Sequence, residues 1–141
     1  MRVSLYILFI LAAMVLAAAG CTRNNGAIGA WFGTWQVTSI SVNGTPVADY
    51  DGNISVMFQN NILKSIELLE HHEYNEYFAT WSVEGATLSI DAVKGGVAPG
   101  LMMPAGSVVH VELLRRPGKV MQWRYVDESG TVYDYDLKKL Y

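Results

Sequence analysis

From Trp31 onward the chain breaks into short runs rich in Val, Ile, Thr, Tyr, Phe and Trp, each closed by Gly, Pro, Asn or Asp. Such runs are too short for ordinary helices, and β-branched and aromatic side chains suit a pleated, half-buried surface. Eight of them read as strands, over residues 34–42, 53–59, 63–70, 77–83, 87–93, 107–114, 119–127 and 131–140. Asn43-Gly44, Asn60-Asn61, His71-His72-Glu73, Glu84-Gly85, Arg116-Pro117-Gly118 and Glu128-Ser129-Gly130 supply the turns. Residues 64–70 also fit two turns of helix, and their place between two turn signals favours the strand.

Side chains two apart on a strand share a face. Tyr77, Ala79, Trp81 and Val83 therefore lie together, as do Leu88, Ile90 and Ala92, then Val109, Val111 and Leu113, then Met121, Trp123 and Tyr125, then Tyr133, Tyr135 and Leu137. The opposite faces carry Thr80 and Ser82, Ser89 and Asp91, His110 and Glu112, Gln122 and Arg124, and Asp134 and Asp136. Eight one-sided antiparallel strands hide their apolar faces and their edges most simply by closing into one up-and-down barrel. The expected fold is thus all-β, a single eight-stranded barrel over 31–141, with a two-sheet β-sandwich as the alternative.

The N-terminus has a different character. Arg2 precedes an apolar stretch over 5–16 and the small residues Ala17-Ala18-Ala19-Gly20. That layout is a secretory signal over 1–20, and its apolar part is shorter than the roughly 20 residues that span a bilayer. Ala18-Ala19-Gly20-Cys21 resembles the lipobox of bacterial lipoproteins, which implies cleavage before Cys21 and lipid, including palmitate, on its thiol. Cys21 is the only cysteine, so no intramolecular disulfide competes for it. Residues 21–30 then read as a lipidated cysteine and a polar, glycine-bearing tether. By the same resemblance, Thr22 in place of an aspartate favours the outer membrane, so the expected location is the cell envelope, lipid-anchored, in a leaflet left open.

Loss of Arg2 with the signal leaves nine basic side chains against thirteen acidic ones, a formal balance of −4. No basic stripe is available to neutralise phosphates, which argues against nucleic acid, and anionic headgroups are expected to be weakly repelled too.

Gly33-Thr34-Trp35, preceded by Trp31-Phe32, looks like the G-x-W signature of lipocalin and other calycin barrels. The resemblance extends to the Asn-Gly turn that follows, the Trp81-Ser82-Val83-Glu84-Gly85 hairpin and the last run Tyr133-Asp134-Tyr135-Asp136-Leu137. Together these resemble the lipocalin-like domains of Bacteroidetes lipoproteins. The resemblance implies that Trp35 plugs the closed end of the barrel under a basic side chain, for which Arg124, Lys138 and Lys139 are the candidates.

An eight-stranded barrel is either filled by side chains or holds one small ligand. Phe58, Tyr77, Trp81, Trp123 and Tyr125 are inward aromatics that can line a shallow pocket at the open end. Met102 and Met103, in the long loop 94–106, add adaptable thioethers suited to a lid, to partner docking, or to packing down on the barrel itself. The expected role is binding of a small, partly apolar ligand at the barrel mouth; the alternative is a non-enzymatic scaffold for another envelope protein. Glu70, His71, His72 and Glu73 bear metal-ligating groups, yet neighbouring side chains diverge unless the turn curls, and no metal is expected. Asp134 and Asp136 share a face at about 7 Å, with water and nearby lysines as expected partners. No nucleophile elbow or phosphate loop stands in the sequence, so neither an enzyme nor a cofactor is expected. Substituting Cys21→Ser should abolish palmitate labelling and leave the precursor uncleaved; unchanged labelling would refute lipidation at this cysteine.

Overall fold

The computed structural model describes Tyr6, Ile7, Ile10 and residues 29–141. The signal cleavage site, Cys21 and nearly all of the tether lie outside the described residues.

Nine antiparallel strands follow one another around a single sheet: β1 Gly33–Val42, β2 Thr45–Pro46, β3 Ile54–Gln59, β4 Ile62–Leu68, β5 Tyr74–Glu84, β6 Thr87–Asp91, β7 Val108–Arg115, β8 Val120–Val126 and β9 Val132–Lys139. Eight form the barrel. The extra strand, β2, is a short arm folded back on β1, with Ser41 opposite Pro46. A proline fits there because an edge position needs no donated ladder bond. The sheet closes where β1 meets β9, from Trp35 opposite Lys139 to Val42 opposite Tyr133. This closed, up-and-down, calycin-like barrel is the expected fold, and the sandwich is ruled out by the β1–β9 ladder.

Closure depends on a tight approach of the two chain ends. Gly33 has φ +116°, and a Cβ there would lie 2.1 Å from the Tyr141 carbonyl oxygen, so only glycine fits. Thr34 N–H donates to that carbonyl at 3.0 Å, and Leu140 N–H donates to the Thr34 carbonyl at 2.8 Å. Directly above, Trp35 is fully buried and its indole N–H donates to the Trp31 carbonyl at 3.0 Å. Lys139 lies over the Trp35 ring, 5.4 Å from its centroid, and its Nζ donates to the Ala30 carbonyl. Of the three basic candidates, Lys139 is therefore the one on the plug; Arg124 is paired with Asp134 at 2.8 Å.

Two ends of the barrel can now be distinguished. The turns at 60–61, 85–86 and 116–119 gather with Trp31 and the C-terminus at the chain-entry end. The links 43–53, 69–73, 92–107 and 127–131 form the far end. Rings fill the lumen toward the chain-entry end: Phe58 meets Trp31 at 5.0 Å, Trp81 at 4.8 Å and Trp123 at 6.2 Å, and Trp123 meets Tyr135 at 6.2 Å. Edge-to-face pairs of this kind each add about 0.5–1.5 kcal/mol beyond the area they bury.

The faces expected on β5 to β9 point inward as alternation requires, with Leu88, Ile90, Val111, Met121, Trp123, Tyr135 and Leu137 almost wholly buried. The hairpin β4–β5 departs from that pattern. Ser65 and Glu67 point to the interior side of β4, while Leu68, Tyr74 and Phe78 are about half exposed on the outside. Ser65 is tolerated inside because its hydroxyl accepts from the Ala98 N–H at 2.8 Å. The partners of the outward carboxylates are also not the lysines expected: Asp134 holds Arg124 through two bonds, and Asp136 accepts from Ser39 Oγ at 2.6 Å and Gln122 Nε2 at 2.8 Å.

Candidate functional site

The loop 94–106 determines where space is left. It runs first along β5, where Gly96 N–H donates to the Phe78 carbonyl at 2.9 Å and a Cβ on Gly95 would fall 1.9 Å from that same oxygen. It then crosses the far end of the barrel. Ala98 bonds to Ser65 on β4, Gly100 lies against Ile54 on β3, and the Leu101 carbonyl accepts from the Tyr135 hydroxyl on β9. Val97, Ala98, Leu101 and Met103 are buried. The loop is thus packed down on the barrel and seals the axial mouth.

In two places a ladder of the wall stops before its strands do. Between β1 and β3 the pairing stops after Gln36 opposite Ser55. That gap is filled: the Tyr50 hydroxyl donates to the Val37 carbonyl at 2.6 Å and receives the Ile54 N–H at 3.3 Å, while Gln36 Nε2 bonds to the Gly52 carbonyl. Burial pushes the Tyr50 phenol up to about 12, so it remains a neutral bridge through physiological pH.

Between β7 and β8 the pairing runs from Arg115 opposite Gln122, past a bulge at Leu114, to Glu112 opposite Arg124, and there it ends. Val108, Val109, His110 and Val111 remain paired to β6, and Tyr125 and Val126 to β9, but these two stretches have no ladder with each other among the described residues. The parted strands frame a cleft of about 820 Å³. Met103, Val109 and Tyr125 are its buried, apolar members; Met102, Ala105, Val108, His110, Val126, Glu128 and Ser129 form its exposed rim. Met102 has left-handed backbone angles, φ 58° and ψ 23°, an arrangement that costs a bulky residue on the order of 1–3 kcal/mol.

The far corner of the cleft is rigid. Asp127 Oδ1 accepts from the Ser129 hydroxyl at 2.6 Å, the Ser129 N–H at 2.9 Å and the Thr131 N–H at 2.9 Å. The Ser129 hydroxyl is the chief reason its carboxyl is held below the usual range, so it stays ionised. Tyr125 stacks on Tyr133 at 5.8 Å, and burial, followed by the Asp127 charge, raises its phenol. His110 shares a 3.0 Å hydrogen bond with Ser89.

Of the aromatic and thioether residues proposed from sequence, the fold brings Tyr125, Met102 and Met103 together at this cleft. Phe58, Trp81 and Trp123 lie in the ring cluster, and none of the three lines the cleft. Tyr77 packs half-buried against the core near Gly96. The indole N–H groups of Trp81 and Trp123 are buried without a hydrogen-bond partner among the described residues. Val108, Val109, His110, Val126 and Glu128 were not foreseen as site residues. The one sequence signal was Arg116-Pro117, which marks an irregular hairpin but not how far its strands diverge. Glu70, His71 and His72 form a 3-10 turn in which both imidazoles are exposed, and no group of three or more potential metal ligands occurs among the described residues.

No family model matches the chain, and no curated protein matches it. Solved structures do. A lipocalin-like protein from Bacteroides uniformis superposes with a TM-score of 0.60 at 17% identity, over 79% of this chain and 100% of its own. An uncharacterized protein from Bacteroides eggerthii gives 0.60 at 13%, over 77% of this chain and 98% of its own. Lobster apocrustacyanin A1 gives 0.50 at 10%, over 82% of this chain and 64% of its own. At such identities the likeness shows the fold alone: the chain carries a lipocalin-like barrel.

Tyr135→Phe removes the bond that pins the loop to β9 and strands a buried carbonyl. The variant should lose about 1–3 kcal/mol of stability, with faster amide exchange in residues 97–103. Unchanged stability and exchange would show that apolar packing alone holds the loop.

Proposed function

We propose that this protein is a lipid-tethered binding module of the cell envelope that takes a small, partly apolar molecule sideways, through the cleft between β7 and β8. The observation that carries this reading is the contrast between the two breaks in the wall. One is bridged by Tyr50 and Gln36; the other has no such bridge and is bordered by the cleft floored by Met103, Val109 and Tyr125. Its volume falls within the roughly 300–1,000 Å³ usual for small-molecule sites.

The rim restricts the ligand. Glu128 and the ionised Asp127 oppose a carboxylate at the cleft, so a fatty acid is a poor candidate and a neutral or cationic head group a good one. Tyr125 and the two methionines offer an aromatic face and polarisable sulfurs to the apolar part. Attachment through lipid on Cys21 and residence in the outer membrane belong to the same proposal, supported by the lipobox-like Ala18-Ala19-Gly20-Cys21 and by Thr22. No chemical step is involved in this reading. A scaffold role for an envelope protein partner has its own support in the outward Leu68, Tyr74 and Phe78.

Native mass spectrometry of the protein isolated from its own membrane tests the proposal. A non-covalent adduct with the mass of one small organic molecule is expected. Ala105→Trp, which fills the cleft from an exposed position, should remove it without moving the unfolding midpoint. An adduct that persists in this variant would place the ligand elsewhere, and its absence from the unsubstituted protein would favour the scaffold.

A further inference from the structure

The charges of the barrel are sorted by end. Arg115, Arg116, Lys119, Lys138 and Lys139 all belong to the chain-entry end, on the β7–β8 turn and the close of β9. From Trp31 onward the only other lysines and arginines are Lys64, Lys94 and Arg124. Lys64 is paired with Glu76 and Arg124 with Asp134, whereas no ion pair among the described residues engages any of the five. The far end carries Asp49, Asp51, Glu70, Glu73, Asp127 and Glu128 on its links, with Lys94 as its one lysine or arginine beside His71 and His72, whereas the chain-entry end sets the single exposed carboxylate of Glu84, beside the β5–β6 turn, against its five cations.

A net negative charge is therefore the wrong guide to what the chain-entry end meets. β1 and β9, of ten and eight residues, hold the two ends about 20 Å apart along a tilted barrel, more than twice the screening length of about 8 Å at physiological salt. Each end presents its own field.

The chain-entry end has further features of a membrane contact. Lys119, Lys138 and Lys139 share a surface hollow of about 380 Å³ with Leu140 and Tyr141. Leu140 is 47% and Tyr141 79% exposed, so an aliphatic and an aromatic side chain project beside the lysines. An aromatic with a polar tip suits the headgroup level of a bilayer, and each basic side chain near an anionic surface adds to the attraction. Residues 29–31 enter the barrel at this same end, so a tether that holds the chain at a membrane delivers this face to it.

We infer that the basic end of the barrel docks on an anionic phospholipid surface through Arg115, Arg116, Lys119 and Lys138, with Tyr141 and Leu140 at the headgroups. The acidic far end, with the rim of the β7–β8 cleft, is thereby turned away from the bilayer toward the aqueous phase. The inference goes beyond ligand binding and holds whether or not the cleft is ever occupied.

The test uses the full-length chain reconstituted in vesicles, with a fluorophore on Gly118→Cys at the basic end or on Ala48→Cys at the far end, and the chain bearing only Cys21 as the labelling blank. Nitroxide-headgroup lipid is the quencher. In phosphatidylglycerol-containing vesicles the label at 118 should be quenched about threefold more than that at 48. The difference should shrink in pure phosphatidylcholine, in ~0.5 M NaCl, where screening falls to about 4 Å, and in the triple variant Arg115→Glu, Lys119→Glu, Lys138→Glu. Because the readout is a ratio within membrane-attached protein, it does not depend on what attaches the chain. Equal quenching at both positions, or a ratio indifferent to lipid charge and salt, would overturn the inference, and the lipid and salt arms decide even if the triple variant does not fold.

Discussion

The pairing of β1 with β9 is the constraint on which the rest of the molecule depends. An open sheet of eight one-sided strands would expose two edges and an apolar face; joining Trp35 through Val42 to Lys139 through Tyr133 removes both problems at once. The join is narrow, because Gly33 must pass within reach of the Tyr141 carbonyl and Lys139 must cover Trp35. With the circumference fixed in this way, the lumen has a fixed width, and Phe58, Trp35, Trp123 and Tyr135 occupy it. The barrel is a solid body over most of its length rather than a cup.

Function in such a body has to sit in its wall or on its ends. The wall opens where the bulge at Leu114 and the divergence of β7 from β8 leave two stretches of backbone without a common ladder. The long loop, held by Ser65 and Tyr135, closes the axial route and supplies Met102 and Met103 to the lateral one. The same loop thus both covers the end of the barrel and lines the cleft. The ends differ in charge, and that difference is set by the up-and-down order itself, which places alternate turns at opposite poles.

Most of the fold was legible because alternation is local. On β6 to β9 the inward residues are apolar and the outward ones mostly polar, with Val108, Leu114 and Val126 as exposed apolar exceptions, so faces could be assigned from spacing, and closure followed from the number of such strands. The β4–β5 hairpin was less legible: Ser65 is buried because a loop thirty-three residues later offers it a donor, and Phe78 is outside despite its character. The arm β2 escaped notice since two residues make no pattern. The cleft was legible only in part. Tyr125, Met102 and Met103 were identified by residue type, whereas Val109 and Glu128 belong to it through the splay of two strands, a property of the assembled sheet. The partition of charge was equally hidden, because a sum over the sequence discards position.

The central claim is a barrel closed at β1–β9 and parted at the far half of β7–β8. An interstrand proton NOE map tests it most directly. Cross-strand contacts should run from Trp35–Lys139 to Val42–Tyr133, broken only by the bulge between Val37 and Ser39, and from Leu113–Trp123 no further than Glu112–Arg124. Strong cross-strand contacts between Val109 or Val111 and Tyr125 or Val126 would mean that the wall is sealed there, and the account of a lateral entrance would be contradicted.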